Sequence, residues 1–258
     1  MDTHQPSPPP ALSYLEEDKV TEECKDLMLS AEFRTRFPYQ YQGSWIPAFS
    51  MQGVISFHKH FQAHDTDILL VTSPKVGTTW LKSILFSLLN RVRYDPNAHQ
   101  HPLLTNNPHK LVPFLEIDLY STKQIYERFN VQDCVLCRNP KDTFVSMWHF
   151  RNSTRVNQGM NPSTIKDFDN FSKGISPYGP YWDHVTSYWK ESLEKSEKVF
   201  FLKYEKMKEQ PTIYLKKLAE FLECAFSPEE EGKILMVNKA ALFRRGEVGD
   251  WMNHLTAE

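Results

Sequence analysis

Three short apolar runs stand out along the chain, and each is followed by a loop and then by apolar residues at helical spacing. The runs cover residues 68–71, 134–137 and 199–202. An uninterrupted apolar run of this length is typical of a parallel strand that is covered on both faces. The pattern therefore predicts three parallel strands.

The segments after these runs predict helices. The first has apolar residues three and four positions apart, namely Trp80, Leu81, Ile84, Leu85, Leu88, Leu89 and Val92. The second is expected over 143–150, with Asn139 as its cap and Pro140 at its first position. The third begins near Pro211, with an apolar stripe of Tyr214, Leu215, Leu218 and Leu222. Strands that alternate with helices indicate an α/β fold, here a P-loop-like three-layer arrangement with a central, mostly parallel sheet flanked by helices.

The composition narrows the class of protein. With 258 residues, of which 40% are hydrophobic, the chain is long enough to bury a sizeable core. Its formal net charge of -2 shows no basic excess, so we expect no nucleic-acid partner. No apolar stretch approaches the roughly 18 residues of a membrane-spanning helix, so we expect no membrane partner.

The compartment and the domain organisation are also expectations from the sequence. Four scattered cysteines and the lack of a signal-like apolar segment favour a reducing environment, which predicts a cytoplasmic protein. Residues 1–40 contain an early proline-rich stretch and are predicted to form a flexible arm. Residues 41–258 show no repeat and no change of composition, which predicts a single domain.

The loop after the first predicted strand has the residues that an anion site needs. A loop between a strand and a helix gathers unpaired backbone N–H groups at the positive end of the helix dipole. Lys75 adds a charge, Gly77 lets the backbone approach a ligand, and Thr78 and Thr79 add hydroxyl groups. The alternative is an ordinary turn with a helix cap. A nucleoside-triphosphate kinase is disfavoured, because a Walker A loop has two glycines and places its lysine after the second.

Two arginine clusters have the chemistry of phosphate binding. Arg138 ends the second apolar run, where an α/β sheet presents residues to its ligand crevice, and Ser146 lies about two helical turns further on. Arg244 and Arg245 stand beside Gly246 in a segment with poor helical and strand pattern. Taken alone, Arg138 and Ser146 fit a salt bridge and a surface serine better than a phosphate site. Taken alone, the segment with Arg244 and Arg245 fits a solvated basic turn equally well.

Taken together, the three clusters resemble the cytosolic sulfotransferase family, and its plant branch above all. The matching text is residues 73–80, residues 138–146, and the Phe-Arg-Arg-Gly run at 243–246 with Gly-Asp-Trp at 249–251. The resemblance implies that 3'-phosphoadenosine 5'-phosphosulfate (PAPS) is the sulfonate donor. It places the 5' end and the adenine side of PAPS at Lys75, Val76, Gly77, Thr78, Thr79 and Trp80, with Tyr204 near the adenine. It assigns the 3'-phosphate to Arg138, Ser146, Arg244, Arg245 and Gly246.

The chain departs from the family in the region that supplies the catalytic base. The family has a histidine between residues 116–118 and the Arg138 strand, whereas here that interval is shortened and contains no histidine. The stretch between Leu222 and Phe243 and the C-terminal region also look shortened. Lys75 remains as the catalytic cation, and His149 is the candidate for the missing base, with His109 as another histidine to weigh. A general base contributes about 10²–10⁴-fold to a rate, so the expected enzyme is impaired if neither replaces the family histidine.

The predicted function is a PAPS-dependent sulfotransferase acting on a small hydroxyl compound, such as a phenolic, flavonoid, steroid or hormone-like acceptor. The alternative is a relative that binds PAPS or its product PAP with impaired or no catalysis. Cys134 and Cys137 lie three apart, so on a strand they point to opposite faces, and we expect no metal. The expected partners are the donor nucleotide and the acceptor, and a homodimer is left open.

Overall fold

A computed structural model of the protein describes residues 39–62, 67–94, 101–119, 132–157, 159–162, 167–233 and 247–255. The chain divides into two compact units, one of residues 1–63 and 113–129 and the other of residues 64–112 and 130–258. Nearly all of the predicted N-terminal arm lies outside the described residues. The single domain over 41–258 stays a prediction.

The first unit contains a short hairpin and a helix. Strands β1 (Tyr39–Tyr41) and β2 (Ser44–Ile46) pair antiparallel across a two-residue turn whose residues, Gln42 and Gly43, both have positive φ. Such a turn matches the twist of a hairpin. Helix α1 (Ala48–His60) follows, and it packs against a single π-helical turn at Leu115–Leu119.

The second unit is built on a three-stranded parallel sheet. Strands β3 (Ile68–Thr72), β4 (Gln132–Cys137) and β5 (Val199–Lys203) correspond to the three apolar runs, and their order in the sheet is β3-β4-β5. The central strand β4 is the most buried. Strand β3 is half-buried along its whole length, because it lies at one edge of the sheet as described. All three carboxyl ends therefore meet at one edge of the unit.

Helices surround this sheet. They are α2 (Thr78–Leu89), α3 (Pro108–Leu111), α4 (Pro140–Asn157), α5 (Asp167–Ser172), α6 (Tyr181–Glu194), α7 (Tyr204–Glu209) and α8 (Pro211–Phe221), with 3₁₀ turns at Pro102–Leu104, Pro228–Lys233 and Asp250–Asn253. The predicted α/β fold with a parallel sheet flanked by helices is confirmed.

Local sequence signals predict the start of α4 correctly and the end of α2 wrongly. Helix α4 begins at Pro140, and the Asn139 side-chain oxygen accepts a hydrogen bond from the Lys141 N–H at 2.9 Å, as the sequence predicts. The predicted extension of α2 to Val92 is wrong. The helix stops at Leu89, the Asn90 amide donates to the Phe86 carbonyl, and Val92 is 89% exposed.

One hydrophobic core joins the sheet to the helices of the second unit. Its members come from strands β4 and β5 and from the loops and helices that follow the three strands. They include Val76, Leu81, Ile84, Leu88, Leu136, Leu202, Met207, Leu215 and Leu218. Each of these side chains is at most 1% exposed, so the loops at the carboxyl edge rest on a tightly packed base. None of the described helices is both long and apolar enough to cross a membrane.

Candidate functional site

The loop between β3 and α2 adopts a backbone that depends on glycine. Gly77 has φ of 117° and stands at the N-cap of α2. A Cβ atom there would lie 3.1 Å from two ring carbons of Tyr204 and 3.2 Å from a methyl carbon of Leu136. Lys75 also has a positive φ, of 70°. The loop is therefore pressed against β4 and α7, and a side chain at position 77 would push it outwards.

The start of α2 presents polar groups. Gly77 has no side chain to cap the first N–H groups of the helix, which carry its positive dipole end. The Thr78 hydroxyl lies 2.8 Å from the Thr72 hydroxyl, so it is tied to the end of β3. The Thr79 hydroxyl is exposed and lies 3.1 Å from Nε2 of His109. This combination of backbone and hydroxyl donors is suited to an anion.

Val76 and Trp80 have buried side chains, unlike their neighbours Lys75 and Thr79. The Val76 side chain is completely buried in the core, so only its backbone faces the loop. The Val76 side chain therefore does not occupy the space in which an anion would bind. Trp80 is buried as well, and its ring meets the Tyr204 ring edge-on with centroids 5.3 Å apart.

Arg138 connects three parts of the site. It directly follows β4, is 8% exposed, and donates to the carbonyl of Lys75 at 3.4 Å and to the carbonyl of Glu247 at 3.1 Å. Its guanidinium carbon lies 4.7 Å from the centre of the Tyr204 ring. Within the described part of the chain no carboxylate pairs with this charge, and Nε has no hydrogen-bond partner. A buried cation without a carboxylate partner favours an anionic ligand.

Tyr181 at the start of α6 holds Arg138 in place. Its hydroxyl accepts a hydrogen bond from the Arg138 N–H at 3.2 Å and donates one to the Arg138 carbonyl. Burial raises the pKa of Tyr181 to about 12, so the hydroxyl keeps its proton at physiological pH. No role for Tyr181 is predicted from the sequence, because the contact spans 43 positions and leaves no local pattern.

Asp142 anchors the last described segment. Its buried carboxylate accepts hydrogen bonds from the N–H groups of Gly249 at 2.8 Å and Trp251 at 3.0 Å. The Lys141 ammonium lies 4.0 Å from the centre of the Trp251 ring. Arg244, Arg245 and Gly246 lie outside the described residues. The chain that follows them is thus fixed to the first turn of α4.

Helix α4 presents its predicted site residues in different surroundings. Ser146 is half-buried and His149 is exposed. The His149 ring packs against the rings of Trp148 and His254, at 4.7 Å in both cases. The ring next to Lys75 belongs to Phe150, with the Lys75 ammonium 4.3 Å from its centre.

The ionisation of His149 reflects these neighbours. Partial burial lowers its pKa, the nearby His254 lowers it further, and Asp250 opposes both effects. The imidazole is therefore neutral at physiological pH and able to accept a proton.

The buried cysteines of β4 have no matching ligands nearby. Burial raises the pKa of Cys134 to about 12 and that of Cys137 to about 11, so both remain thiols. The described residues contain no cluster of three or more side chains suited to a metal ion.

The structure thus brings Lys75, Gly77, Thr78, Thr79 and Trp80 into one site with Arg138 and Tyr204. This arrangement of a cation, a helix N-terminus and a buried arginine at the carboxyl edge of a parallel sheet is suited to an anionic ligand in an α/β protein.

Comparison with known proteins identifies the family. Residues 65–239 match the sulfotransferase domain. Cytosolic sulfotransferase 11 of Arabidopsis thaliana is 40% identical over 300 aligned positions, which cover 95% of this chain and 85% of the relative. The chain therefore belongs to the plant-type cytosolic sulfotransferase family, and the resemblance noted in the sequence is confirmed. The alignment is longer than the 258 residues of this chain, so parts of the relative have no counterpart here.

Solved structures support the fold. A candidate steroid sulphotransferase of Arabidopsis thaliana is 34% identical, with a TM-score of 0.68 over 94% of this chain and 90% of that one. The mouse sulfotransferase SULT7A1, solved in complex with PAP, is 24% identical, with a TM-score of 0.58 over 85% of this chain and 88% of that one. At this lower identity the likeness concerns the fold alone.

Proposed function

We propose that the protein transfers the sulfonate group of PAPS to a hydroxyl group of a small apolar acceptor of the phenolic, flavonoid, steroid or hormone-like class. The observation that carries this proposal is the buried guanidinium of Arg138, which lies beside the Lys75 loop and the Tyr204 ring without a carboxylate partner among the described residues. The family is that of sulfotransferases, and a neighbour in fold was solved with PAP.

The residues present suit the two ends of such a nucleotide. The 5' end would be held by the backbone of 76–79, by the Lys75 ammonium and by the Thr78 and Thr79 hydroxyl groups. Gly77 lets the loop pack closely against Tyr204 and Leu136, which holds the N–H groups of 76–79 in a fixed position at the start of α2. The adenine would lie against Trp80 and Tyr204, whose rings already pack together.

The other end of the nucleotide would be bound by arginine. Arg138 and Ser146, together with Arg244, Arg245 and Gly246, would hold the 3'-phosphate. Arg138 now donates to two backbone carbonyls, and a phosphate would offer it stronger, charge-assisted hydrogen bonds.

The chemistry requires three tasks of the protein. Bound PAPS supplies the sulfonate group and a phosphate leaving group. Lys75 and the N–H groups at the start of α2 would stabilise the charge that develops on the departing oxygen. The acceptor must lose its proton, and the assignment of this task to His149 stays a prediction. The pocket walls would have to hold the acceptor in line with the sulfur.

A PAP-binding relative with little or no turnover is the second candidate. Two observations favour it: segments of a relative are missing here, and the His149 ring packs on His254 while Phe150 stands next to Lys75. Both candidates share the same nucleotide site. They differ in whether a proton acceptor reaches the acceptor hydroxyl.

The names of the relatives support a proposal for the cellular location. We propose a cytoplasmic location, because the matching Arabidopsis proteins are named cytosolic. The proposed partners are the donor nucleotide and the acceptor, with no metal involved in the transfer. Homodimer formation is left open.

The test is transfer of labelled sulfonate from PAPS to a panel of phenols and steroids, measured together with calorimetric binding of PAP. We expect binding and transfer for the wild type, and weaker PAP binding with loss of transfer for Lys75→Ala. Lys195→Ala is the matched control, since Lys195 is an exposed lysine paired with Glu191 at 2.9 Å on α6. Binding without transfer would favour the second candidate, and lack of PAP binding by the folded protein would contradict both.

A further inference from the structure

His109 is held in a fixed position by a single helical turn. The Asn107 side chain accepts a hydrogen bond from the His109 N–H at 3.0 Å, and Pro108 occupies the first position of α3 with its side chain buried. Helix α3 packs against α2. The imidazole is therefore presented from a capped and packed turn, which suits a group that must keep a defined geometry.

The imidazole reaches the start of α2. Its Nε2 lies 3.1 Å from the Thr79 hydroxyl, in the first turn of the helix that follows the Lys75 loop. Thr79 is exposed, so this edge of the site faces open space rather than the core. Nε2 of His109 is thus hydrogen-bonded to Thr79, a residue assigned to the 5' end of PAPS, which carries the sulfonate group.

Other histidines of the same unit have different surroundings. His149 packs on His254, His184 on Tyr188, and His101 is buried against Phe86 and Tyr94. Within the described residues of this unit, His109 is the histidine with a hydrogen bond to the first turn of α2. A general base must come within hydrogen-bond reach of the proton it removes, so position decides between these candidates.

We infer that His109, rather than His149, accepts the proton of the acceptor hydroxyl, an inference that rests on the proposed sulfonate transfer. The acceptor O–H bond breaks and its proton goes to Nε2 of His109. The acceptor oxygen forms a bond to sulfur, the bond from sulfur to the phosphate oxygen of the donor breaks, and the nucleotide leaves as PAP. The imidazolium then releases its proton to water. In this step Nε2 exchanges its hydrogen bond with Thr79 for one with the acceptor.

A base is needed less when the acceptor is already ionised, and this dependence separates a base from a residue that only supports the fold. We would measure kcat for wild type and His109→Ala with two acceptors, an aliphatic steroid alcohol and a nitrophenol ionised at the assay pH. His149→Ala is the rival variant. Lys110→Ala is the matched control, because Lys110 is the exposed neighbour on the same turn.

The expected result is a loss of about 10²–10⁴-fold for His109→Ala with the alcohol and less than about tenfold with the nitrophenol. The acid limb of the wild-type pH–rate profile should disappear in this variant. Added imidazole should restore part of the rate with the alcohol. The Kd for PAP, measured by calorimetry, should stay within about threefold of the wild-type value.

A second readout does not depend on turnover. PAP added to the full-length protein should shift the NMR resonance of the His109 imidazole, because its partner Thr79 lies in the proposed nucleotide site. The His58 resonance serves as the reference.

Three results would overturn the inference. They are an equal loss of kcat with both acceptors in His109→Ala, a His109 resonance that PAP does not shift, and an acceptor-dependent loss of kcat in His149→Ala alone. A wild type that binds PAP but transfers sulfonate to neither acceptor also overturns it, while the nucleotide site stands. A folded wild type that does not bind PAP contradicts the proposed function itself.

Discussion

The Tyr181 hydroxyl bonds to both backbone polar groups of Arg138, and so sets the direction in which this arginine leaves the sheet. We predict that Tyr181→Phe lowers the free energy of unfolding by about 1–3 kcal/mol, because two buried backbone groups lose their shared partner. Urea denaturation measures this change. Tyr178→Phe, on the same segment, is the comparison variant. A stability equal to that of the wild type would show that the hydrogen bonds of Tyr181 do not support Arg138.

Asp142 should hold the C-terminal segment on α4. In Asp142→Asn one of the two N–H groups, of Gly249 or Trp251, faces an amide N–H₂ instead of a carboxylate oxygen. We expect faster hydrogen exchange at these two amides and a loss of about 1–3 kcal/mol in stability. Amide exchange followed by NMR checks this directly. Unchanged exchange at both amides would contradict the anchoring role.

The Gly77 position should not accept alanine. Gly77→Ala places a Cβ at 3.1 Å from the Tyr204 ring on a backbone with positive φ, so we expect a cost of about 1–3 kcal/mol and weaker PAP binding. Gly159→Ala is the matched control, because Gly159 has φ of 72° with no atom within 4 Å of its Cβ position. Thermal unfolding of both variants isolates the effect of crowding. Equal losses would show that the contact with Tyr204 is unimportant.

Asp133 on β4 should make stability depend on pH. Burial first, and the charge of Glu191 second, raise the pKa of Asp133 to about 6, above its unfolded value of about 3.9. The folded state therefore binds the proton more tightly than the unfolded state. The stabilisation that Asp133 contributes by binding this proton is fully present below about pH 4 and is lost as the pH rises through 6.

The corresponding variant is Asp133→Asn. It should exceed the wild type in stability by about 1–2 kcal/mol above pH 6, a figure reduced for the partial exposure of the side chain, and the difference should change across pH 4–6. Urea titrations at several pH values measure it. Glu191→Gln should reduce the pH dependence in part. Parallel pH profiles of wild type and Asp133→Asn would rule out the shift.

The sequence predicted those features that depend on local patterns. Asn139 and Pro140 marked the start of α4, the three apolar runs correspond to the strands, and the loop at Lys75 joins β3 to α2 as predicted. Local propensity failed at Val92, where the apolar spacing continued beyond the Asn90 cap.

Long-range contacts were beyond the reach of such patterns. The Asp142 bond to Gly249 spans 107 positions and the His109 contact with Thr79 spans 30, so neither leaves a periodic signal. Helix α7 was missed for a different reason. It is six residues long, and it begins at Tyr204 directly after β5 without a preceding loop.

The central claim is that this site binds a nucleotide with a 3'-phosphate, and calorimetric titration of PAP and AMP into the wild type and into Arg138→Ala tests it most directly. We predict that the wild type binds PAP about 10- to 100-fold more tightly than AMP, since a charge-assisted contact contributes about 1.5–3 kcal/mol, and that Arg138→Ala loses most of this preference. Adding Lys75→Ala should abolish PAP binding. Equal affinities of the folded wild type for PAP and AMP, or an unchanged preference in Arg138→Ala, would contradict the account.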